Sequence, residues 1–217
     1  MNTADTWKEV LDKAVSEART DVARTVFEQL LREIEREQLD ENGFDVARRV
    51  TDLADALVKL AYERSTSKNM SPHALVALGG FGRREMAPYS DIDLLFLFRR
   101  EEDKSPEFIS GVLHPLWDLG FDVGHSSRTS AEVVKMARED VESCTAMMDG
   151  RLLAGDSDLF AEYTQRLFRR LPKSVPTQIN KWRQARIDNK DSVQLLEPNV
   201  KDSPGGLRDI QSLELSL

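Results

Sequence analysis

Apolar residues in the N-terminal part of the chain recur at the spacing of amphipathic helices. They lie three or four positions apart from Trp7 to Ile34, which predicts one long helix. The spacing breaks at Leu39–Gly43 and resumes from Phe44 to Leu60, which predicts a second helix. We expect the two helices to form a hairpin that packs on the rest of the protein.

The middle of the chain contains the continuous apolar runs that are typical of buried strands. Ala74–Leu78 and Ile92–Phe98 each predict a strand, and a glycine turn and a loop join them. Helical spacing returns from Phe108 to Trp117, which suits a crossover helix, and Phe121–Gly124 predicts a short third strand. We expect the sheet to end with that strand.

Beyond the third strand, the pattern predicts only helices and loops. Thr129 with Glu132 three residues later has the form of a capping box, so a helix is expected to begin there. Two further helices are expected to meet at Gly155, and Leu207 restarts helical spacing after a loop rich in proline and glycine. The amides of Gly205–Gly206 open that last helix, which is either an anion-binding position or an ordinary turn.

Together these elements predict an α+β fold, in which helices flank a small mixed sheet. The chain divides into a helical hairpin over residues 1–68, a sheet core over 69–130 and a helical region over 131–217 that completes the site.

The composition of the chain argues against nucleic acid and membranes as partners. The chain has 217 residues, a formal charge of −8 and a pI near 5.1, so it lacks the basic footprint of a nucleic-acid-binding protein. A hydrophobic content of 40% suffices for a buried core. No apolar run has the length of a membrane span or a signal peptide, and the single cysteine, Cys144, cannot form an internal disulfide. We expect no nucleic-acid partner, no membrane association and a reducing cytoplasm.

Two carboxylates, Asp91 and Asp93, alternate with apolar residues where the second strand starts. The period of a strand puts both on one face, at most about 7 Å apart, where they repel each other unless a cation lies between them. Oxygen ligands suit Mg²⁺ or Mn²⁺, which complete their coordination with water and substrate phosphates. Upstream, Gly79 and Gly80 allow a sharp turn whose amides, with that of Phe81, are expected to hold phosphate oxygens.

Asp122, in the predicted third strand, adds another carboxylate to the same sheet. The acids would then hold two Mg²⁺ ions about 3.5 to 4 Å apart and activate a hydroxyl for attack on an α-phosphorus, with pyrophosphate leaving. Arg83 or Arg84 would add positive charge. The alternatives are an exposed edge or turn cap for Asp91 and Asp93, and a solvent-facing acid for Asp122.

Further polar residues have more than one interpretation. His125 is either a structural histidine or a ligand or base, and Cys144 is expected in the core. Arg128, Lys201 and Arg208 either contact phosphate or the acceptor, or are solvated and salt-bridged.

The glycine pair, the spacer and the Asp-x-Asp, followed by a third acid, resemble the nucleotidyltransferase superfamily that includes the beta-type DNA polymerases. Further motifs are similar to one branch, the N-terminal region of the bacterial P-II uridylyltransferase/uridylyl-removing enzymes. They are Gly79-Gly-Phe-Gly-Arg-Arg-Glu85 with Pro88, Ser90-Asp-Ile-Asp-Leu-Leu95, Gly124-His-Ser-Ser-Arg-Thr129, Arg151-Leu-Leu-Ala-Gly-Asp156, Pro198-Asn-Val-Lys201 and Pro204-Gly-Gly-Leu-Arg-Asp-Ile-Gln211. Arg84 stands where that family usually has glycine, and Ala87 where it has histidine.

The resemblance implies a nucleotidyltransferase sheet and metal-dependent transfer of UMP from UTP to a tyrosine hydroxyl of the P-II protein, which serves nitrogen regulation. It assigns catalytic and metal-binding roles to Asp91, Asp93 and Asp122. It assigns nucleotide-binding roles to Gly79, Gly80, Phe81, Arg83, Ser90, Arg128, Lys201 and Arg208.

Three alternatives stay open, because nothing in the sequence indicates which nucleotide base the site recognises. They are an adenylyltransferase, a nucleotidyltransferase with another acceptor, and a non-catalytic nucleotide sensor. The family continues into HD phosphohydrolase and ACT domains that lie outside these residues, so uridylyl removal and glutamine sensing are not expected of them.

Overall fold

The structure is a computed structural model, and it describes residues 20–37, 42–68, 70–189, 200–201, 203 and 205–214. Helix α1 (Thr20–Glu37) and helix α2 (Gly43–Ser65) pack together as the predicted hairpin. The Asn42 side chain starts α2 by accepting hydrogen bonds from the amides of Phe44 and Asp45. The predicted beginning of the first helix, residues 7–19, lies outside the described residues.

A four-stranded sheet forms the centre of the protein. Its strands are β1 (His73–Ala77), β2 (Ile92–Phe98), β3 (Val123–Thr129) and β4 (Arg151–Gly155), in the spatial order β3-β2-β1-β4. β1 is antiparallel to both β2 and β4, whereas β2 and β3 are parallel. The sheet is therefore mixed, as predicted, and the α+β class is confirmed.

Helices cover both faces of this sheet. A short helix, α3 (Gly79–Arg83), follows β1, and α4 (Pro106–Asp118) makes the predicted crossover between β2 and β3. The remaining helices follow in chain order: α5 (Ser130–Glu139), α6 (Val141–Met148), α7 (Ser157–Arg170), α8 (Val175–Asn189) and α9 (Leu207–Glu214). The hairpin and α4 pack on one face, and α5 to α8 pack on the other.

Alternation along β2 gives each face its own core. Ile92, Leu94 and Phe96 belong to the cluster with the hairpin and α4, whereas Leu95 and Leu97 belong to the cluster with α5 to α8. At the start of α5, the Thr129 hydroxyl accepts from the Glu132 amide at 3.4 Å. The Glu132 carboxylate in turn accepts from the Thr129 amide at 2.8 Å, so the predicted capping box is confirmed.

The prediction that the sheet ends with the third strand is wrong. Arg151–Gly155, interpreted as helix and loop, is the strand β4, and it pairs with the edge of β1 that β2 leaves open. Gly155 therefore ends a strand, and the Asp156 side chain caps the helix that follows. The third strand also begins later and runs further than predicted, so that Asp122 directly precedes it. The division into segments 1–68, 69–130 and 131–217 stays a prediction.

Among the described residues, no helix combines the length and the apolar character that crossing a bilayer requires.

Candidate active site

Two carboxylates lie where β2 starts, and a third lies where β3 starts. Asp91 and Asp93 flank Ile92, the first residue of β2, so their side chains share a face. Asp122 directly precedes Val123, which pairs with Ile92 in the parallel register. The Ile92 amide donates to the Asp122 carbonyl oxygen at 2.9 Å, which joins the two strand starts. The fold thus brings all three predicted acids to one end of the sheet.

Gly124 makes room for the Asp93 carboxylate, and Gly79 lies beside the same carboxylate. Gly124 pairs with Asp93 across the strands, and a Cβ built on Gly124 would lie 2.5 Å from Asp93 Oδ1. A Cβ on Gly79, whose φ of +54° is in the left-handed region, would lie 3.6 Å from Asp93 Oδ2. The Leu78 amide donates to the Asp93 carbonyl at 3.0 Å, so the end of β1 is held beside the acids. A side chain at position 124 would therefore displace the carboxylate.

The charges at this end of the sheet are unbalanced. Surrounding protein atoms partly desolvate the Asp93 carboxylate and raise its pKa, although the residue keeps solvent-exposed surface. The carboxylates of Asp91 and Asp122 raise this pKa further by repulsion, and the Lys201 ammonium lowers it. The three acids are therefore close enough to act on one another, and the site favours an additional cation.

The glycine segment is a short helix where the sequence predicted an open turn. Helix α3 has five residues, and its hydrogen bonding begins with the Gly82 amide, which donates to the Leu78 carbonyl at 2.9 Å. The amides of Gly79, Gly80 and Phe81 precede that point, as the first amides of any helix do, and no capping side chain of Leu78 bonds to them. Amides in this position are suited to an anion.

Arg83 is anchored between two acids. Its Nε donates to Glu85 Oε2 at 2.8 Å, and its guanidinium also pairs with the Asp149 carboxylate, of which only 8% is exposed. Burial lowers the pKa of Arg83 more than any single partner raises it. Together, however, the hydrogen bonds and charges of Glu85 and Asp149 raise this pKa above its ordinary value. Its predicted nucleotide-binding role stays a prediction, because in this arrangement two carboxylates already compensate its charge.

Arg84 ends α3 in the left-handed region, with a φ of 63°. Glycine adopts this conformation without steric cost, which gives a physical reason for the glycine that the resembling family usually has at this position. The Arg84 side chain pairs with Asp52 of α2, on the exposed surface.

The C-terminal segment adds basic and amide groups to the site. Lys201 is close enough to act on the pKa of Asp93, and Arg208 pairs with Glu142 of α6 at 3.3 Å. Gln211, on α9, donates to Glu85 Oε2 at 3.0 Å, the same oxygen that accepts from Arg83. Helix α9 is thereby attached to the segment that follows α3.

The amides before α9 are already bonded within the chain. Gly205 donates to Asp209 Oδ2 at 2.8 Å, and Gly206 donates to the Ser203 carbonyl at 2.8 Å. The Asp209 carboxylate therefore occupies the position at the start of α9 where an anion would bind. The geometry supports the interpretation of Gly205–Gly206 as an ordinary turn.

The remaining candidates lie at different distances from the acids. Ser90 directly precedes Asp91, in a turn where its amide donates to the Ala87 carbonyl at 3.1 Å. Arg128 pairs with Leu97, four residues beyond Gly124, which corresponds to about 13 Å along the strand. The structure thus places Ser90 at the site and the backbone of Arg128 well away from it.

His125 lies exposed on the sheet, whereas Cys144 lies in the core. His125 follows Gly124, so it lies on the other face of the sheet from the acids, where its ring centroid is 6.2 Å from that of Trp117. Cys144 is fully buried, and burial together with the charge of Asp140 raises its thiol pKa to about 11. The core position predicted for Cys144 is confirmed.

The donor set fits a hard divalent cation that is shared with a substrate. In the part of the chain that the structure describes, no group of three or more His, Cys, Asp and Glu side chains is arranged to hold a metal ion by itself. Mg²⁺ in phosphate chemistry typically takes one or two carboxylates and completes its coordination with phosphate oxygens and water. Asp91, Asp93 and Asp122 offer only oxygen donors, and the repulsion at Asp93 is the kind that such an ion relieves.

Several residues that hold this site together had no role predicted from the sequence. Glu85, Asp149 and Gln211 bond to Arg83 or connect it to α9, while Arg151 bonds both to Asp55 and to α3. Glu85, Arg151 and Gln211 stand in the motifs that resemble the family, which was the signal for them in the sequence.

Comparisons with known proteins identify sequences that are similar to this chain. The family model described as GlnD PII-uridylyltransferase matches residues 173–216. A bifunctional uridylyltransferase/uridylyl-removing enzyme of Hydrogenovibrio crunogenus is 38% identical over 172 residues, covering 75% of this chain and 19% of the relative. The enzyme of the same name from Ruegeria pomeroyi is 38% identical over 184 residues, covering 77% and 20%. That from Phenylobacterium zucineum is 35% identical over 198 residues, covering 84% and 21%.

The chain spans about a fifth of the length of these curated relatives, 19 to 21%. The matched region contains most of this chain, including the glycine helix and the three acids. Over most of its own length, the chain is therefore related to one part of the bifunctional uridylyltransferase/uridylyl-removing enzymes.

Proposed function

We propose that this chain carries a uridylyltransferase site, which transfers UMP from UTP to a tyrosine hydroxyl of a P-II-like regulatory protein and releases pyrophosphate. The observation that carries the proposal is the convergence of Asp91, Asp93 and Asp122 beside the first turn of α3. The relatives are named for uridylyl transfer, which supports UTP as the donor. We place the reaction in the cytoplasm, where a free thiol such as Cys144 persists.

The acids provide the metal-binding side of the site. We assign Asp91, Asp93 and Asp122 as the residues that hold Mg²⁺ or Mn²⁺. When bound, the ion neutralises charge on the triphosphate and lowers the pKa of the acceptor hydroxyl. Gly124 contributes by leaving the space that the Asp93 carboxylate occupies, which fixes that carboxylate toward the end of the sheet.

The first turn of α3 provides the phosphate-binding side. The amides of Gly79, Gly80 and Phe81 donate to oxygens of the β- and γ-phosphates, at the end of the helix that carries partial positive charge. Lys201, already close to Asp93, adds a cation beside the triphosphate, and we assign Arg208 and Ser90 to its surroundings. Donor groups that are held in place before the substrate binds need little rearrangement during reaction.

The transfer itself is an in-line displacement. The acceptor hydroxyl gives its proton to solvent water and its oxygen forms a bond to the α-phosphorus, while the bond between that phosphorus and the bridging oxygen breaks and pyrophosphate leaves. The acids lie at the start of β2 and β3 and the amides lie at the end of β1, so the two substrates meet at a single end of the sheet.

The test is transfer of label from each of the four α-³²P nucleoside triphosphates to a purified P-II protein. We expect UTP to label a tyrosine of the acceptor, with a requirement for Mg²⁺ or Mn²⁺. Preferential labelling from ATP would instead identify an adenylyltransferase. Binding of UTP without transfer to any acceptor would identify a nucleotide sensor and would refute the proposed function.

A further inference from the structure

The side chain of one arginine bonds to backbone carbonyls at the carboxyl end of helix α3. Arg151 Nε donates to the Gly82 carbonyl at 3.0 Å, and its Nη2 donates to the Phe81 carbonyl at 2.9 Å. The guanidinium carbon lies 5.5 Å from the centroid of the Phe81 ring. Arg151 begins β4, where it pairs with Ala77 at the end of β1, so it approaches α3 from the strand next to the one that leads into it.

A buried carboxylate fixes this arginine in turn. Asp55 of α2, which is 7% exposed, accepts from Arg151 Nη1 at 2.7 Å and from Nη2 at 2.9 Å. This bidentate geometry defines the plane of the guanidinium as well as its distance. The remaining N–H groups then donate to the two α3 carbonyls, of which that of Phe81 also accepts from the Arg84 amide at 3.3 Å.

Helix α3 depends on such contacts for its orientation. It has five residues, two of which are the glycines that begin it, and a helix of this length has no stability of its own. Gly82 is also confined, because a Cβ there would lie 2.3 Å from the Asp149 carbonyl oxygen. The direction of the amides at Gly79, Gly80 and Phe81 is therefore set by what holds the other end of the helix.

We propose that Arg151 and Asp55 are positioning residues for the nucleotide: they orient α3 so that its first amides meet the triphosphate. This inference rests on the proposed function. A structural ion pair would affect the stability of the protein alone, whereas a positioning pair affects the affinity for the triphosphate in protein that is still folded. Lysine at position 151 keeps the charge but cannot bond to Asp55 and both carbonyls together.

The experiment measures UTP binding by calorimetry in Mg²⁺ and the KM and kcat of UMP transfer, with thermal melting in parallel. It compares wild type with Arg151→Lys and Asp55→Asn, and uses Arg166→Lys as the matched control. Arg166 forms an exposed ion pair with Glu162 on α7, 3.0 Å long and away from α3. We expect the two variants at positions 151 and 55 to weaken UTP binding and raise the KM for UTP about ten- to a hundredfold. We expect their kcat at saturating UTP to stay within severalfold of wild type, and the control to match wild type.

Each outcome bears on a different claim. If wild type transfers UMP and both variants bind UTP as wild type does, the positioning role is refuted while the proposed function stands. A lowered melting temperature with an unchanged KM in the folded variants has the same meaning, and assigns the pair to stability alone. If wild type neither binds UTP nor transfers UMP, the proposed function fails first and the inference fails with it.

Discussion

A methyl group on Gly124 displaces the Asp93 carboxylate while leaving the backbone undisturbed. The Cβ of alanine at this position would lie 2.5 Å from Asp93 Oδ1, whereas the nearest backbone atom, the Ile92 carbonyl oxygen, is 4.0 Å away. An ordinary contact needs at least 3.4 Å, so the carboxylate must move by about 1 Å. Gly124→Ala therefore shifts one proposed metal-binding group and little else.

The two consequences of this shift have different magnitudes. A misplacement of about 1 Å in a reacting group typically costs about a hundredfold in rate, and we expect that loss in kcat/KM for UMP transfer. Stability should change by less than about 1 kcal/mol, because alanine is better than glycine in a strand and the displaced atoms belong to one side chain. Activity and stability thus separate in this variant.

The assay pairs steady-state pyrophosphate release with urea denaturation of the same preparations. Gly43→Ala serves as the control, since a Cβ on Gly43 has nothing within 4 Å. We expect the control to keep wild-type activity. Wild-type kcat/KM in Gly124→Ala would refute the claim that the position of the Asp93 carboxylate determines the rate.

Four further predictions test the fold and the charges of the protein. Gly82→Ala should lower the free energy of unfolding by about 1 to 3 kcal/mol, because the new Cβ would lie 2.3 Å from the Asp149 carbonyl oxygen. An unchanged midpoint of urea denaturation would contradict this prediction. The Cys144 thiol, with a pKa of about 11, should react with a disulfide reagent at pH 8 far more slowly in the native protein than in urea, and equal rates would contradict its burial. Since an unfolded thiol has a pKa of 9.0, stability should also fall as the pH rises from 9 toward 11. Lys201→Met should raise the titration midpoint of Asp93 in metal-free protein, because the ammonium group that lowers this pKa is gone. Carboxyl NMR measures the midpoint. An unchanged midpoint would show that Lys201 does not act on Asp93.

Local patterns in the sequence were sufficient to predict the arrangement of the acids on the strands. The positions of Asp91 and Asp93 follow from the period of a strand, and the start of α5 follows from the capping box at Thr129. The hairpin and the crossover helix also follow from spacing within single elements. Each of these features depends on residues that are close in the chain.

Several features that depend on contacts between distant residues were not predicted. β4 is a five-residue strand whose identity comes from pairing with β1, and its own sequence contains only a short apolar run. The environment of Arg83 is a second case, because the Asp149 carboxylate that neutralises it comes from another element. The tertiary fold also brings together Gln211 and Glu85, which form a hydrogen bond, and it places the Arg151 side chain where it bonds to α3.

The central claim is that the acids at the start of β2 and β3 carry out nucleotidyl transfer. It is tested most directly by measuring Mg²⁺-dependent pyrophosphate release from UTP, with a P-II protein as the acceptor, in Asp93→Asn beside Asp118→Asn, which changes an exposed aspartate at the end of α4. We expect release to fall to background in Asp93→Asn, while its melting temperature holds or rises because the repulsion at Asp93 is removed. Asp118→Asn should behave as wild type. Retained pyrophosphate release in folded Asp93→Asn would contradict the account.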